Sequence, residues 1–382
     1  MKLSTERILT THTGSLPRPD ELVKLTYAQE EGKPVDRKVM ADEQARAVHQ
    51  VVRRQAEAGI DMVSDGEMAK PGFINYLTSR VTGFEGRAGA WVLEDLMEFP
   101  DLLMAQYGGE AGAHIVVRNC TGDIRYVGQD AVAADIATLT KAIGETGAVE
   151  GFLPAASPGS FAMAAPNLHY ESYENYLFAV ARALREEYRA IIESGLLLQI
   201  DCPDLPMAMH TSSWDNTAKR IGYQEYLELH VAALNEAVAD LPADRMRVHI
   251  CWGNYEGPHH MDVPLTQVLP AVFEARPAAI SFEAANPRHE HEWEDLRKLR
   301  IPDGKVLIPG VIDVKTNVLE HPVLVAQRIT RFADIVGRER VIAGTDCGFG
   351  TFVGFSAIMP SVAWLKLGSL AEGARLASDR LW

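Results

Sequence analysis

The stretch Met246-Arg247-Val248-His249-Ile250-Cys251 is a short run of strand-forming residues that closes on two reactive side chains. The same phrase recurs over residues 196–201, 278–283, 306–313 and 341–347, and each copy ends on a polar or thiol side chain. Helical patterns separate the copies. Leu177, Val180, Leu184, Tyr188 and Ile191 follow one another at helical spacing and form one face, with Gly195 as the stop. Val325, Ile329, Phe332 and Val336 make a second such face. These runs read as strands 4 to 8. Residues 8–15, 61–67 and 149–154 supply strands 1 to 3, with insertions expected at about 20–40 and 86–128. Parallel strands with helical crossovers must bury both sheet faces, so eight βα units predict a closed TIM-type (β/α)8 barrel. A doubly wound open sheet is the main competitor. No internal repeat or low-complexity linker marks a boundary, so one catalytic domain is expected over 1–382.

Composition narrows the function. The chain has 382 residues, is 47% hydrophobic and carries a formal net charge of -15, which opposes binding to a polyanion such as nucleic acid. No segment approaches the roughly 18 apolar residues of a membrane span, and the opening Met-Lys-Leu-Ser-Thr-Glu-Arg has no signal-peptide core, so a cytoplasmic location is expected. Four scattered cysteines are too few for a disulfide framework. They read as free thiols or metal ligands.

Barrel enzymes place their chemistry at the C-terminal ends of the strands. The polar residues there are Ser15, Glu67, Asp201, His249, Cys251, Glu283, Asp313 and Cys347. His249 and Cys251 are two apart in an extended segment and project from one face, so one strand end offers two ligands. With Glu283 and Cys347 they make a tetrahedral set suited to Zn2+. A lone His-x-Cys is usually incidental, and a buried Cys usually a small apolar residue. It is the common strand-end placement of all four that favours a metal. Cys120, in the irregular insertion, reads as structural, and Cys202 should turn away from the side Asp201 faces. The loop pairs His259 and His260, and His289 and His291, read either as supports behind the ligands or as ordinary hydrogen-bonding residues. Asp313 and Lys315 are candidates to assist a leaving group, with a loop-steadying salt bridge as the alternative. Asp346 is a candidate to orient a ligand.

The marks Thr10-Thr11-His12-Thr13-Gly14-Ser15-Leu16-Pro17, Asp65-Gly66-Glu67, Gln199-Ile200-Asp201, His249-Ile250-Cys251, Phe282-Glu283 and Gly344-Thr345-Asp346-Cys347 resemble the catalytic barrel of the cobalamin-independent methionine synthase family. The resemblance spans nearly the whole chain and implies a barrel of the methionine synthase/uroporphyrinogen decarboxylase type. It implies zinc on His249, Cys251, Glu283 and Cys347, and homocysteine on Ser15, Glu67 and Asp201. Two marks of the folate-dependent members are missing. Leu153-Pro154-Ala155-Ala156-Ser157-Pro158-Gly159 lacks the tryptophan that packs on the pterin, and Asp313-Val314-Lys315-Thr316-Asn317 lacks the leaving-group histidine. The amino-terminal barrel of the long enzymes has no counterpart in these residues.

The expectation is therefore a zinc-dependent thiol S-alkyltransferase that forms methionine from homocysteine with a donor other than folate. A methyl-donor corrinoid protein or a methylated small molecule is the candidate partner. The alternative, in a related branch, is epoxyalkane:coenzyme M transferase, which opens an epoxide with a zinc-bound thiolate. Coenzyme M has a sulfonate and no ammonium group, so Glu67 and Asp201 favour an amino-acid thiol. Metal-free decarboxylation and a non-catalytic thiol or metal store are the remaining classes.

Overall fold

The computed structural model of the protein describes residues 1–382 except 89–91, 108–116, 213–215 and 355. Eight parallel strands follow one another in chain order: β1 (Leu9–Thr10), β2 (Met62–Ser64), β3 (Glu150–Ala156), β4 (Leu197–Asp201), β5 (Met246–Ile250), β6 (Ala279–Phe282), β7 (Val306–Pro309) and β8 (Ile342–Ala343). Strands β2 to β7 form one continuous parallel ladder, and β1 pairs with β8. Two seams join these pieces into a ring. Asp61 N donates to Thr10 O at 3.2 Å between β1 and β2, and bridges Leu307 to Val341 and Gly310 to Gly344 join β7 to β8.

The crossovers carry α1 (Arg37–Glu57), α2 (Gln129–Gly144), α3 (Tyr173–Glu193), α4 (Tyr223–Ala237), α5 (Leu265–Phe273), the four-residue α6 (Trp293–Leu296) and α7 (Pro322–Val336), with α8 (Pro360–Leu381) after β8. This is the (β/α)8 barrel expected from the recurring strand phrase. Helix α3 shows how local sequence sets an element. Ser172 caps it by accepting from Asn175 N, and Leu177, Val180, Leu184, Tyr188 and Ile191 all face inward and are buried. Gly195 then leaves the helix at φ 90°, a backbone state that glycine tolerates without strain.

Inside the ring, Leu9, Met62, Phe152, Leu197, Ala279, Val306, Ile308 and Ile342 plug the N-terminal end as an apolar layer. Above it lies a polar layer. The Arg247 guanidinium sits 3.7 Å over the Phe152 ring and donates to Thr11 Oγ1 and His12 O, and Gln199 donates to Asp201 Oδ1 at 2.8 Å. The C-terminal end is thereby left for chemistry.

Most ladders are shorter than their apolar runs, although β3, expected over 149–154, extends to Ala156. In strands 7 and 8, expected over 306–313 and 341–347, only Val306–Pro309 and Ile342–Ala343 pair regularly. These two strands pair with each other through isolated bridges, Leu307 to Val341 and Gly310 to Gly344. The region expected as an insertion at 20–40 holds a helix, Asp20–Glu30, and the start of α1. That at 86–128 falls partly outside the described residues. Its Val92–Leu93 pairs with Thr211–Ser212, which brings Leu93 over the barrel mouth.

Candidate metal centre and its cavity

His249, Cys251 and Cys347 offer one nitrogen and two sulfur atoms that all lie within 4.8 Å of one another, and all three residues are buried. Strand β5 supplies two of them by alternation, and the turn after β8 supplies the third. Thr345 fixes that turn by donating to Cys347 O at 2.8 Å. Of the two thiols, Cys251 is held below the usual range, by a hydrogen bond with Cys347 and by His249, against the opposing effect of burial.

Glu283 stands beside this trio. Its Oε1 lies 3.6 Å from Cys347 Sγ and accepts from Trp252 N at 2.9 Å. Its Oε2 accepts from Asn286 Nδ2 at 2.7 Å and from Lys315 Nζ at 2.9 Å. Burial raises the Glu283 carboxyl, and the Lys315 ammonium together with His289 and His259 outweighs this, leaving it below the usual carboxylate range.

The trio is a candidate metal site whose nitrogen and sulfur donors suit zinc, and Glu283 is near enough to Cys347 to offer a further donor. Bonds of about 2.3 Å to sulfur and about 2.1 Å to oxygen at a tetrahedral angle put the two ligand atoms about 3.6 Å apart. That matches the spacing between Cys347 Sγ and Glu283 Oε1. In addition, His249 Nδ1 is buried without a hydrogen-bond partner.

The trio forms the floor of a cavity of about 90 Å3 whose walls include Thr13, Ser15, Glu67 and Asp201. Glu67 is placed by an unusual backbone, φ 59°, and its N–H is bound to Asp65 Oδ1 at 3.0 Å. Gly14 makes room for it, since a side-chain carbon there would sit 2.7 Å from Glu67 Oε1. Burial pushes the Glu67 carboxyl up to about 7, against the pull of Lys70 and Arg18. It pushes Asp201 up to about 6, against His249 and the Gln199 hydrogen bond. Glu67 Oε2 is buried with no hydrogen-bond partner, though Arg18 Nη2 lies 3.9 Å away. Two buried carboxylates thus face one small space, and both would gain from a cation placed there.

Asp313 and Lys315 do not line this cavity. Asp313 Oδ1 accepts from Lys315 N at 2.8 Å, and the Lys315 ammonium is spent on Glu283 rather than on Asp313. Asp346 touches no ligand directly. It accepts from Ala284 N, Ala285 N and Asn286 N at 2.8 to 2.9 Å and so pins the turn that follows Glu283.

The loop histidines divide by position, not by pair. His259 Nδ1 and His289 Nε2 both reach Asp262 Oδ2, at 2.9 and 3.0 Å, and the His289 ring stacks on Trp252 with 4.0 Å between centroids. His260 lies near the surface with Glu98 at 3.3 Å, and His291 is exposed. Cys120 and Cys202 are buried and bond weakly to the carbonyls of Gly122 and Ile200.

The outer wall was not legible in the sequence. Phe73, Leu93, Met207, Tyr255 and Phe352 line it, with Asn254 and Thr351 between them. They come from loops and short elements outside the barrel ladder, with no strand-end pattern. Asn286, which aims Glu283, carried no signal beyond its position three residues further on.

Comparison with known proteins agrees with the fold. Residues 8–122 match the family described as Cobalamin-independent synthase, Catalytic domain. The chain is 24% identical over 375 residues to the methionine synthase of Saccharolobus solfataricus, covering 97% of this chain and 95% of that one. It is 26% identical over 365 residues to the 2-hydroxypropyl-CoM lyase of Xanthobacter autotrophicus, covering 88% and 85%. Among solved structures, the B12-independent methionine synthase from Shewanella sp. W3-18-1 in complex with selenomethionine superposes with a TM-score of 0.72 at 20% identity, over 98% of this chain and 99% of that one. The chain is thus similar along nearly its whole length to a methionine synthase and to a 2-hydroxypropyl-CoM lyase, and in fold to a B12-independent methionine synthase.

Proposed function

We propose that the protein is a zinc-dependent thiol S-alkyltransferase whose acceptor is an amino-acid thiol, homocysteine, converted to methionine. The observation that carries this reading is the cavity itself. One nitrogen and two sulfur donors form its floor, two buried carboxylates face it, and no lysine or arginine is among its described lining residues. An ammonium group between Glu67 and Asp201 would relieve the desolvation that raises both acids. A sulfonate would meet two carboxylates and no cation.

His249, Cys251, Glu283 and Cys347 would hold the zinc, which when bound would lower the pKa of a substrate thiol and keep its sulfur nucleophilic at neutral pH. The chain's own residues do the rest. Glu67 and Asp201 orient the amino group, Ser15 lies within the same cavity as a hydrogen-bonding partner, and Asn286 with Lys315 fixes which oxygen of Glu283 faces the centre. The buried cavity excludes bulk water from the sulfur.

A second reading, opening of an epoxide by coenzyme M, is favoured by the similarity to the 2-hydroxypropyl-CoM lyase. Calorimetric titration of the zinc-loaded protein with each thiol separates the two. Homocysteine binding that weakens at least tenfold in Glu67→Gln and Asp201→Asn supports the proposal. Tighter binding of coenzyme M, unaffected by these changes, overturns it.

A further inference from the structure

Three features on the open side of the cavity bear on the alkyl donor, a question that rests on the thiol-alkylation reading above. The first is the chemistry of the wall. Phe73 and Phe352 line it together, with ring centroids 5.8 Å apart and planes tilted by 56°. They are held there by backbone. Gly72 bridges to Phe352, Val353 N donates to Pro71 O at 2.9 Å, and the Phe352 ring lies so close over Gly72 that an added side-chain carbon would meet it at 2.3 Å. Leu93 and Met207 complete an apolar rim.

The second feature is charge. Glu67 and Asp201, which face the acceptor's ammonium group, are the only carboxylates among the described lining residues, and no lysine or arginine there offers an anionic donor a partner. Aromatic faces attract a cation within about 6 Å of the ring centroid.

The third is that, among the described residues, no carboxyl or ammonium group is free to give a proton on the donor side. Lys315 is bound to Glu283, Asp313 lies outside the cavity, and the Tyr255 hydroxyl donates to Asp95 at 2.6 Å. Glu67 and Asp201 are ionised when they hold an ammonium group and have no proton to give. A folate amine or an epoxide oxygen leaves as an anion that must be protonated. A group that departs neutral has no such need.

We infer that the donor is a methylsulfonium compound, held with its positive sulfur against the Phe73 and Phe352 rings. The thiolate sulfur of the acceptor, its proton already lost to solvent, forms the new S–CH3 bond. The C–S+ bond breaks, its electron pair goes to the departing sulfur, and that sulfur leaves as a neutral thioether. Charge and atoms balance with no acid.

The test uses the zinc-loaded full chain with trimethylsulfonium as the probe donor. Homocysteine binding is first measured by calorimetry with no donor present. Its absence overturns the thiol reading and, with it, this inference. With binding established, the expected result is dimethyl sulfide and methionine in equal amounts and kcat flat from pH 7 to 9. The KM for trimethylsulfonium should rise at least tenfold in Phe73→Leu and Phe352→Leu, while homocysteine affinity in the same variants stays within twofold. No dimethyl sulfide, or faster turnover with propylene oxide or methyltetrahydrofolate, overturns the inference while leaving the thiol reading standing. A kcat that falls tenfold per pH unit above neutrality also overturns it, because it reveals a required acid.

Discussion

Cys347 Sγ lies 3.6 Å from Glu283 Oε1, while Lys315 holds the opposite oxygen of the same carboxylate at 2.9 Å. The two oxygens of Glu283 are thereby given different tasks. One faces the thiols, and the other is fixed by an ammonium and an amide. Lys315 had the sequence position of a leaving-group acid, yet its charge is used to keep a fully buried carboxylate ionised beside two cysteines.

Removing that ammonium leaves a buried charge short of its main partner. Lys315→Met should destabilise the metal-free protein by about 3 kcal/mol. Zinc affinity should fall roughly 10- to 100-fold, since an outer partner of a ligand has been lost. Urea unfolding and competitive zinc titration check this, and unchanged values in both would assign Lys315 to the loop alone.

The two thiols should decide metal content. Cys251→Ala and Cys347→Ala should each reduce bound zinc from near stoichiometric by at least about tenfold. Cys202→Ala, whose thiol bonds to Ile200 O and lies outside the trio, should keep it. Elemental analysis of the purified variants reads this directly.

Glu67 and Asp201 make an opposite trade between stability and binding. Their folded pKa values, about 7 and about 6, lie above the ordinary carboxylate range because of burial. A raised folded pKa means that the native state holds its proton more tightly than the unfolded chain does. Their contribution is therefore fully present below about pH 4 and is lost as pH rises towards 7. Glu67→Gln and Asp201→Asn should flatten this part of the pH-stability curve and raise the melting temperature of the ligand-free protein at pH 8, while weakening homocysteine binding. Thermal melts from pH 5 to 8 would show the loss of slope, and a steeper curve in either variant would contradict it.

Gly72→Ala probes the rim without touching the floor. The added methyl must displace the Phe352 ring. Zinc content should stay unchanged, and kcat/KM for any donor should fall about tenfold through a rise in KM, as overpacking shifts a wall residue. Loss of zinc instead would show that the rim and floor are not independent.

The barrel could be read from the sequence because its signal repeats. Each apolar run that ends on a polar side chain is one strand aimed at the axis, and the same residues then gave His249, Cys251, Glu283 and Cys347 as a set. What could not be read depends on loops. Phe73, Phe352 and Leu93 reach the cavity through backbone pairings between distant segments, such as Gly72 with Phe352, and no spacing along the chain encodes those. The partner of Lys315 was hidden for a related reason. Its place after β7 put it near the centre, but which carboxylate it would choose was settled by the proximity of Glu283, thirty-two residues earlier.

The central claim is that a substrate sulfur joins the centre formed by His249, Cys251, Glu283 and Cys347. X-ray absorption at the zinc edge counts those sulfur neighbours directly. The account predicts two sulfur atoms at about 2.3 Å in the zinc-loaded protein and three once homocysteine is added. A sulfur count that stays at two with homocysteine bound would contradict it.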